Sequence, residues 1–415
     1  MIEHLPRRFG RYQLTAIVGE GGMAEVYKAS VEVAEGLSKW VVIKRIRPEY
    51  ANRREFTRMF VEEAKIALSL NHANIVQVFD FGQVDGVFYL AMELIEGTDL
   101  MKLFHAVRGS GGAFSDVVTA FIGHQIASGL AYAHRKLDDF GNPLHIVHRD
   151  VSPHNVILSF EGQVKVLDFG IARARNPGGP TLDPADEEAS IKGKIAYMSP
   201  EQALGRGVDA RSDIFSLGVV LYELLTGTLL HRMKDRLAAL EKVRNVPIPP
   251  ILSRAPELPD ELAAIVDRAL ARDPDDRYQS AREIQADLAA FLHRSDPIVD
   301  DEYLQRFLAQ FHASAPPLQE IDAIASEATK AFLEGEDSVW RNPEVPSPPR
   351  RVAVLSAALE PKAPDADLSR FLNLVTDIAF KREALVHRCA ARRAAGRGGG
   401  EQRERAPPRT GAAAG

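Results

Sequence analysis

His148-Arg149-Asp150-Val151-Ser152-Pro153-His154-Asn155 is the stretch on which the reading of this chain turns. Two short β-prone runs follow it, Val156 to Ser159 and Gln163 to Leu167, and they lead into Asp168-Phe169-Gly170. An aspartate can accept the proton of a hydroxyl group. A second aspartate, together with an asparagine amide oxygen, can hold a hard divalent cation. Asp150, Asn155 and Asp168 supply that set of groups.

Upstream of this stretch, two more elements point to phosphate chemistry. Gly19-Glu20-Gly21-Gly22-Met23-Ala24-Glu25-Val26 lies between two strand-like runs, Tyr12 to Gly19 and Glu25 to Val33. Small residues let backbone N–H groups approach phosphate oxygens closely, although a plain hairpin would also need glycine here. A strand follows rather than a helix, so the turn is neither a Walker nor a Rossmann motif. Val41-Val42-Ile43-Lys44 then places a lysine on the third strand. Such a lysine either snorkels to the surface or clamps phosphates, and a clamp needs a carboxylate partner. The helical segment Asn52 to Leu70 offers Glu62 and Glu63. Glu63 is preferred because it precedes Ala64 on the apolar side, where Phe56, Met59, Phe60 and Ala67 recur at helical spacing.

Taken in order, GEGGMAEV, VVIK, Glu63, HRDVSPHN, DFG, SPE and Asp213 resemble the protein kinase superfamily. The likeness spans about Arg11 to His293, and GGMAEVY, AYMSPEQ and the run Asp273-Pro274 to Arg277-Tyr278 look like bacterial serine/threonine kinases of the eukaryotic-like type. The resemblance implies an α+β, two-lobed protein kinase fold, with a small antiparallel β N-lobe carrying one helix and a mainly helical C-lobe. It implies ATP with Mg2+, or Mn2+ in its place, and protein substrates bearing serine or threonine. Asp150 would be the catalytic base, Lys44 with Glu63 would hold the α/β-phosphates, and Asn155 and Asp168 would ligate the metal. Val18, Gly19, Glu20, Gly21, Gly22, Met23, Ala24, Val26 and Ile43 would surround the nucleotide, with Met92 as gatekeeper and Glu93 to Ile95 as the hinge. Asp99 would reach the ribose or cap a helix. His148 and Phe169 would pack together, Asp213 would accept hydrogen bonds from the catalytic-loop backbone, and Glu201 with Arg277 would form a buried ion pair.

Two positions depart from the pattern. Ser152 stands where the family has a lysine, and Lys194 follows Gly193 where the family has a threonine. Both positions approach the catalytic aspartate in the family fold, so lysine and hydroxyl are expected to have exchanged places, with Lys194 supplying the charge. Phe215 replaces a common tryptophan, a change expected to affect packing alone. Arg149 before the base implies control by the activation segment. There Thr181 and Ser190 could be autophosphorylated, in a transient homodimer, or else Asp183, Asp186, Glu187 and Glu188 already provide the negative charge.

Three other functions are weighed against this reading. A pseudokinase scaffold that binds ATP without transfer is the alternative, but Lys44, Asp150 and Asp168 are all in place. Small-molecule phosphotransferases generally lack the SPE segment with its arginine partner. Tyrosine kinases carry an arginine-containing AAR or RAA pattern after the base, which is missing here. Composition agrees with the remaining reading. A net charge of −6 and a pI of about 6.1 give no basic nucleic-acid footprint, and a single cysteine, Cys389, excludes an internal disulfide. With no apolar leader and no long apolar run, no membrane anchor is expected and the cytoplasm is the expected compartment. The boundaries read as a lead over 1–10, a kinase domain over 11–294 (N-lobe 11–95, C-lobe 96–294) and a helical extension over 295–341. A Pro/Ala-rich linker over 342–366, one further helix over 367–395 and a low-complexity tail over 396–415 follow.

Overall fold

Alternating apolar residues build the first sheet of the computed structural model, which describes residues 5–20, 24–34, 36–51, 53–169, 195–230 and 236–312. All of these fall in the first of two compact units, residues 1–339; the second unit lies outside the described residues. The sheet runs through β1 (Arg7–Phe9), β2 (Tyr12–Glu20), β3 (Ala24–Ala34) and β4 (Leu37–Ile46). After a single turn, α1 (Pro48–Ala51), comes the amphipathic helix α2 (Arg54–Ser69), and β5 (Val78–Val84) and β6 (Val87–Glu93) complete the lobe. The six strands lie in the order β1-β2-β3-β4-β6-β5, all antiparallel.

Of the six strands, β1 is the least legible in the sequence. Its three residues are too few to show a period of two, yet Arg7 pairs with Leu14 and Phe9 with Tyr12. The turn between them needs Gly10, whose φ is +58°. The apolar run Val76 to Phe81 starts two residues before β5. Val76 is held instead by the second sheet, donating to Val166 O at 3.0 Å, while Val166 N donates to Asn74 O at 2.9 Å.

The second sheet is small, with β7 (Gly97–Asp99) beside β8 (Val156–Ser159) and β8 beside β9 (Val164–Val166). Around it stand α3 (Leu100–Gly109), α4 (Asp116–His134), α5 (Pro200–Ala203), α6 (Ala210–Thr226), α7 (Arg236–Asn245), α8 (Asp260–Ala269), α9 (Ala281–Arg294) and α10 (Asp301–His312). The ends of these helices follow the usual chemistry. Ser115 caps α4 and Ser199 caps α5 in a reciprocal box with Gln202, while α6 starts on Asp209 and ends on Gly227 at φ +64°. Helix α6 is buried nearly all round, as its unbroken apolar run demands, and packs with α4, α8 and α9 in one core.

That core does not stop at residue 294. Val299, Leu304 and Leu308 are buried in the same cluster, and Tyr303, Phe307 and Phe311 pack against it. Residues 299–311, within the stretch expected to be a helical extension, therefore pack into the C-lobe core. A Pro-poor amphipathic stretch can be read as a helix from sequence, but not assigned to a neighbour.

Candidate active site

Strand alternation sets which side of β4 faces the space between the lobes. Val42 pairs with Met92 and Lys44 with Leu90, so these four side chains share one face. Ile43 points the opposite way, fully buried in a cluster with Tyr12, Tyr27, Val41 and Ala91. The expectation that Ile43 contacts nucleotide is thereby corrected, since the pleat presents Val42 beside Lys44. On β3, Val26 stands opposite Lys44, and Gly19 stands opposite Val26. Val18 is half exposed and Ala24 buried, while Gly21, Gly22 and Met23 lie outside the described residues.

Lys44 is the meeting point of the two lobes. Its Nζ lies 2.8 Å from Glu63 Oε1 on α2 and 2.8 Å from Asp168 Oδ1 after β9. Glu62, the other candidate, sits on the outer face with Arg58. Burial works against the Lys44 charge, but the carboxylates of Asp168 and Glu63 outweigh it and hold the ammonium above the ordinary lysine pKa. Behind this trio a cavity extends between Glu63, Leu70, Met92, Val166, Asp168 and Phe169.

The loop 148–155 is tied to Asp213, Leu167 and Gln202. Asp213 at the start of α6 is fully buried and accepts from His148 N, Arg149 N and His134 Nε2 at 2.7, 2.7 and 2.8 Å. His148 accepts from Asp150 N at 3.2 Å through Nδ1 and donates from Nε2 to Leu167 O at 2.7 Å, which fixes its tautomer. Its ring also packs on Phe169, with centroids 4.6 Å apart. One imidazole thus joins the segment carrying Asp150 to the segment carrying Asp168. Arg149 at φ +66° and Asp168 at φ +43° adopt left-handed backbone, a conformation that costs about 1 kcal/mol or more per residue and persists only where surrounding bonds enforce it.

Asn155 is 9% exposed, and its Nδ2 donates to Asp150 O at 2.7 Å and Asp150 Oδ2 at 3.1 Å. That leaves its amide oxygen as the acceptor for another group. With the Asp168 carboxylate it makes a pair of hard oxygen donors, which fits a divalent cation that takes its other ligands from water and phosphate. Among the described residues, no cluster of three or more His, Cys, Asp or Glu could hold a metal by itself.

Other expected residues lie apart from this centre. Asp99 caps α3, accepting from Lys102 N at 2.8 Å, with Lys102 Nζ 2.9 Å away. Ile95 is half-buried. The side chain of Glu93 turns toward Lys165 on β9, whose Nζ is 2.8 Å from Oε1, and also accepts from Gln77 N at 2.7 Å. Ser152 is 1% exposed, and its hydroxyl has no partner among the described residues. Lys194, Thr181, Ser190 and the acidic run 183–188 lie outside the described residues.

Arg277 is buried under the C-lobe end of the site and spends all its donors. Nη1 and Nη2 meet Glu201 Oε1 and Oε2 at 2.8 and 2.9 Å, and Nε, Nη1 and Nη2 also reach the carbonyls of Ala271, Arg211 and Arg272. Its guanidinium lies 4.8 Å from the Phe215 ring centroid, which gives the aromatic at this position its packing role. Sequence reasoning missed His134 and Lys165. The first is a helix-end histidine and the second a strand lysine, and neither has a local partner in sequence to draw attention to it.

A model of the protein kinase domain matches residues 12–288. The chain belongs to the protein kinase family. This kinase is 40% identical to the tyrosine-protein kinase MasK of Myxococcus xanthus over 284 residues, 68% of this chain and 43% of MasK. It is 35% identical to the serine/threonine-protein kinase PrkC of Bacillus subtilis over 329 residues, 75% of this chain and 48% of PrkC. It thus spans less than half the length of either relative. The kinase domain of Mycobacterium tuberculosis PknI superposes with a TM-score of 0.52 at 27% identity, covering 70% of this chain and 99% of that one. The two-lobed fold expected from the motifs is the fold of this family, and Lys44, Glu63 and Asp168 meet where the two lobes of the kinase face each other. No helix among the described residues is long and apolar enough to cross a membrane.

Proposed function

We propose that the chain is a protein-serine/threonine kinase that moves the γ-phosphoryl group of ATP to a serine or threonine hydroxyl of a protein. The observation that carries this reading is the Lys44 ammonium held at 2.8 Å by both Glu63 and Asp168, with Asp150 joined through Asn155 and His148 to the same frame. Phosphoryl transfer demands positioning and charge neutralisation more than covalent help.

In this mechanism Lys44 binds the α/β-phosphates, and its partners keep it charged and in place. The turn 19–26 covers the phosphates, and the backbone of 93–95 meets the adenine edge. Asp150 takes the hydroxyl proton as the new O–P bond forms and the β,γ-bridging P–O bond breaks, so ADP leaves. Asn155 and Asp168 would hold Mg2+, with Mn2+ as a substitute; the ion supplies charge neutralisation between the phosphates. Lys194 supplies the positive charge that Ser152 lacks, and Ser152 supplies the hydroxyl in exchange. Its buried, unpartnered oxygen supports this by offering a hydrogen-bonding group that nothing else among the described residues satisfies. A full kcat in Lys194→Ala overturns the exchange. Thr181 or Ser190 is autophosphorylated between two copies of the chain, and phosphosite mapping on active protein tests this. A reducing, cytoplasmic compartment belongs to the same reading, and the single cysteine supports it.

A tyrosine-directed reading has one observation in its favour, the likeness to MasK. Against it stands Val151-Ser152-Pro153-His154 after the base. The deciding experiment incubates the chain and an Asp150→Asn variant with Mg2+ and labelled ATP, then hydrolyses the product to phosphoamino acids. Phosphoserine or phosphothreonine from the parent alone supports the proposal, and phosphotyrosine supports the second reading. Nucleotide bound without transfer in either protein supports the ATP-binding scaffold.

A further inference from the structure

The family match ends at residue 288, yet α10 at 301–312 is built into the same core. Its seat is specific. The carbonyl of Asp301 lies against the β8–β9 turn so tightly that a Cβ on Gly162 would come within 1.8 Å of it. Leu304 and Leu308 are 0% and 1% exposed. Phe307 packs its ring on Phe114 at 5.5 Å, and Phe114 stacks on Phe104 of α3 at 6.3 Å.

Both surfaces under α10 lead to the hinge. The β8–β9 turn bonds directly to the hinge exit, since Phe160 N donates to Glu96 O at 2.8 Å. Three residues beyond Gly162, Lys165 grips the hinge carboxylate Glu93. On the other side, α3 starts at Leu100, immediately after β7, whose last residue Asp99 caps it and which pairs with β8. Strand β8 leaves Asn155, and β9 enters Leu167-Asp168. A helix outside the matched family domain therefore clamps the two elements that hold both the hinge and the metal-ligand candidates.

We propose that α10 is a positioning brace for the nucleotide site, so that occupancy of its seat and nucleotide affinity are thermodynamically linked. The inference rests on the reading of the cleft as an ATP site. Linkage is reciprocal: if the seated helix favours the binding-competent hinge, bound nucleotide must favour the seated helix by the same factor. The residues after 312 are attached to this brace, so a force or partner acting on them would be felt as a change in ATP affinity.

The test uses the full chain. MgATP affinity is measured by calorimetry for the parent, Phe307→Ala and Phe307→Leu, well below each variant's Tm, and hydrogen exchange over 301–312 is followed in the parent with and without saturating MgATP. The expected results are roughly five-fold weaker binding in Phe307→Ala, recovery of most of the affinity in Phe307→Leu, and slower exchange over 301–312 when nucleotide is bound. A fall in Tm with unchanged affinity, or exchange indifferent to nucleotide, overturns the brace and leaves α10 as plain packing. If Phe307→Ala does not fold, the exchange measurement on the parent still decides. A parent chain that binds no MgATP overturns the ATP reading together with this inference; binding with an unresponsive α10 overturns this inference alone.

Discussion

Lys165 Nζ lies 2.8 Å from Glu93 Oε1, joining the end of β6 to the strand that runs into Asp168. The pair is largely screened from water, with side chains 12% and 22% exposed, so each charge depends on the other. Removing one partner strands the second, which costs about 1–3 kcal/mol for a group at this depth. Lys165→Met is therefore expected to lower stability by that amount and to raise the KM for ATP, because Glu93 begins the segment proposed to meet adenine. Glu93→Gln should cost less, since the amide still accepts from Gln77 N. Denaturant unfolding of the double variant checks the coupling: losses that simply add would show that the two residues act independently.

Lys44 and Asp150, in the roles proposed for them, should separate in kinetics. Lys44→Met removes the cation between Glu63 and Asp168 and the proposed contact to the phosphates. Nucleotide affinity and kcat should both fall, kcat/KM by about a hundredfold or more. Asp150→Asn leaves the proposed phosphate contacts in place and removes only the proposed proton acceptor. Here kcat should drop by about 10²–10⁴ with MgATP affinity nearly unchanged. Equal loss of nucleotide affinity in both variants contradicts the assigned roles.

Much of this site was legible because its chemistry sits in short runs. HRDVSPHN, DFG and VVIK each carry their functional atoms within a few residues, and the choice of Glu63 over Glu62 followed from which face of the helix is apolar. What escaped was set by tertiary pairing. Ile43 was misplaced because the pleat, not the motif, decides which side chain accompanies Lys44. The three-residue β1 has no period to detect. Lys165 and His134 become meaningful only once Glu93 and Asp213 lie across from them. The attachment of α10 to the C-lobe core was hidden for the same reason, since an amphipathic pattern shows that a face is buried but not against what.

Gly97 offers a test of the hinge exit. Strand β7 runs so close to β8 that a Cβ at this position would lie 2.1 Å from the carbonyl oxygen of Leu158. The obstacle is backbone in a paired strand and cannot swing aside. Gly97→Ala should destabilise the protein by about 2 kcal/mol or more. Gly123→Ala makes the contrast: its Cβ would meet Leu221 Cδ2 at 2.6 Å, the tip of a side chain that can rotate, and alanine favours the helix. Thermal unfolding should rank Gly97→Ala below Gly123→Ala, and the reverse order would show that β7 can shift to make room.

The Glu201–Arg277 pair gives the pH dependence a definite direction. Burial alone would raise the Glu201 carboxyl, but the bonds from Arg277 and Ser212 prevail and hold it down to about 2, against 4.5 for a free glutamate. In the unfolded chain the proton is taken up near 4.5; in the folded chain only near 2. The unfolded state therefore binds more protons between these values. Stability from the pair is fully present above about 4.5 and drains away as pH falls toward about 2, a total on the order of 3 kcal/mol at 1.36 kcal/mol per pKa unit. Glu201→Gln removes the titration and leaves the buried Arg277 without its anion, a loss of about 3–5 kcal/mol at neutral pH. Denaturant unfolding of parent and variant at pH 7, 5, 4 and 3 reads both effects. Other carboxylates titrate equally in the two proteins and cancel in the difference, so the gap between the curves should narrow as pH falls through the window. A gap that stays constant from pH 7 to pH 3 would mean that Glu201 titrates normally in the folded protein and that Arg277 does not hold its charge.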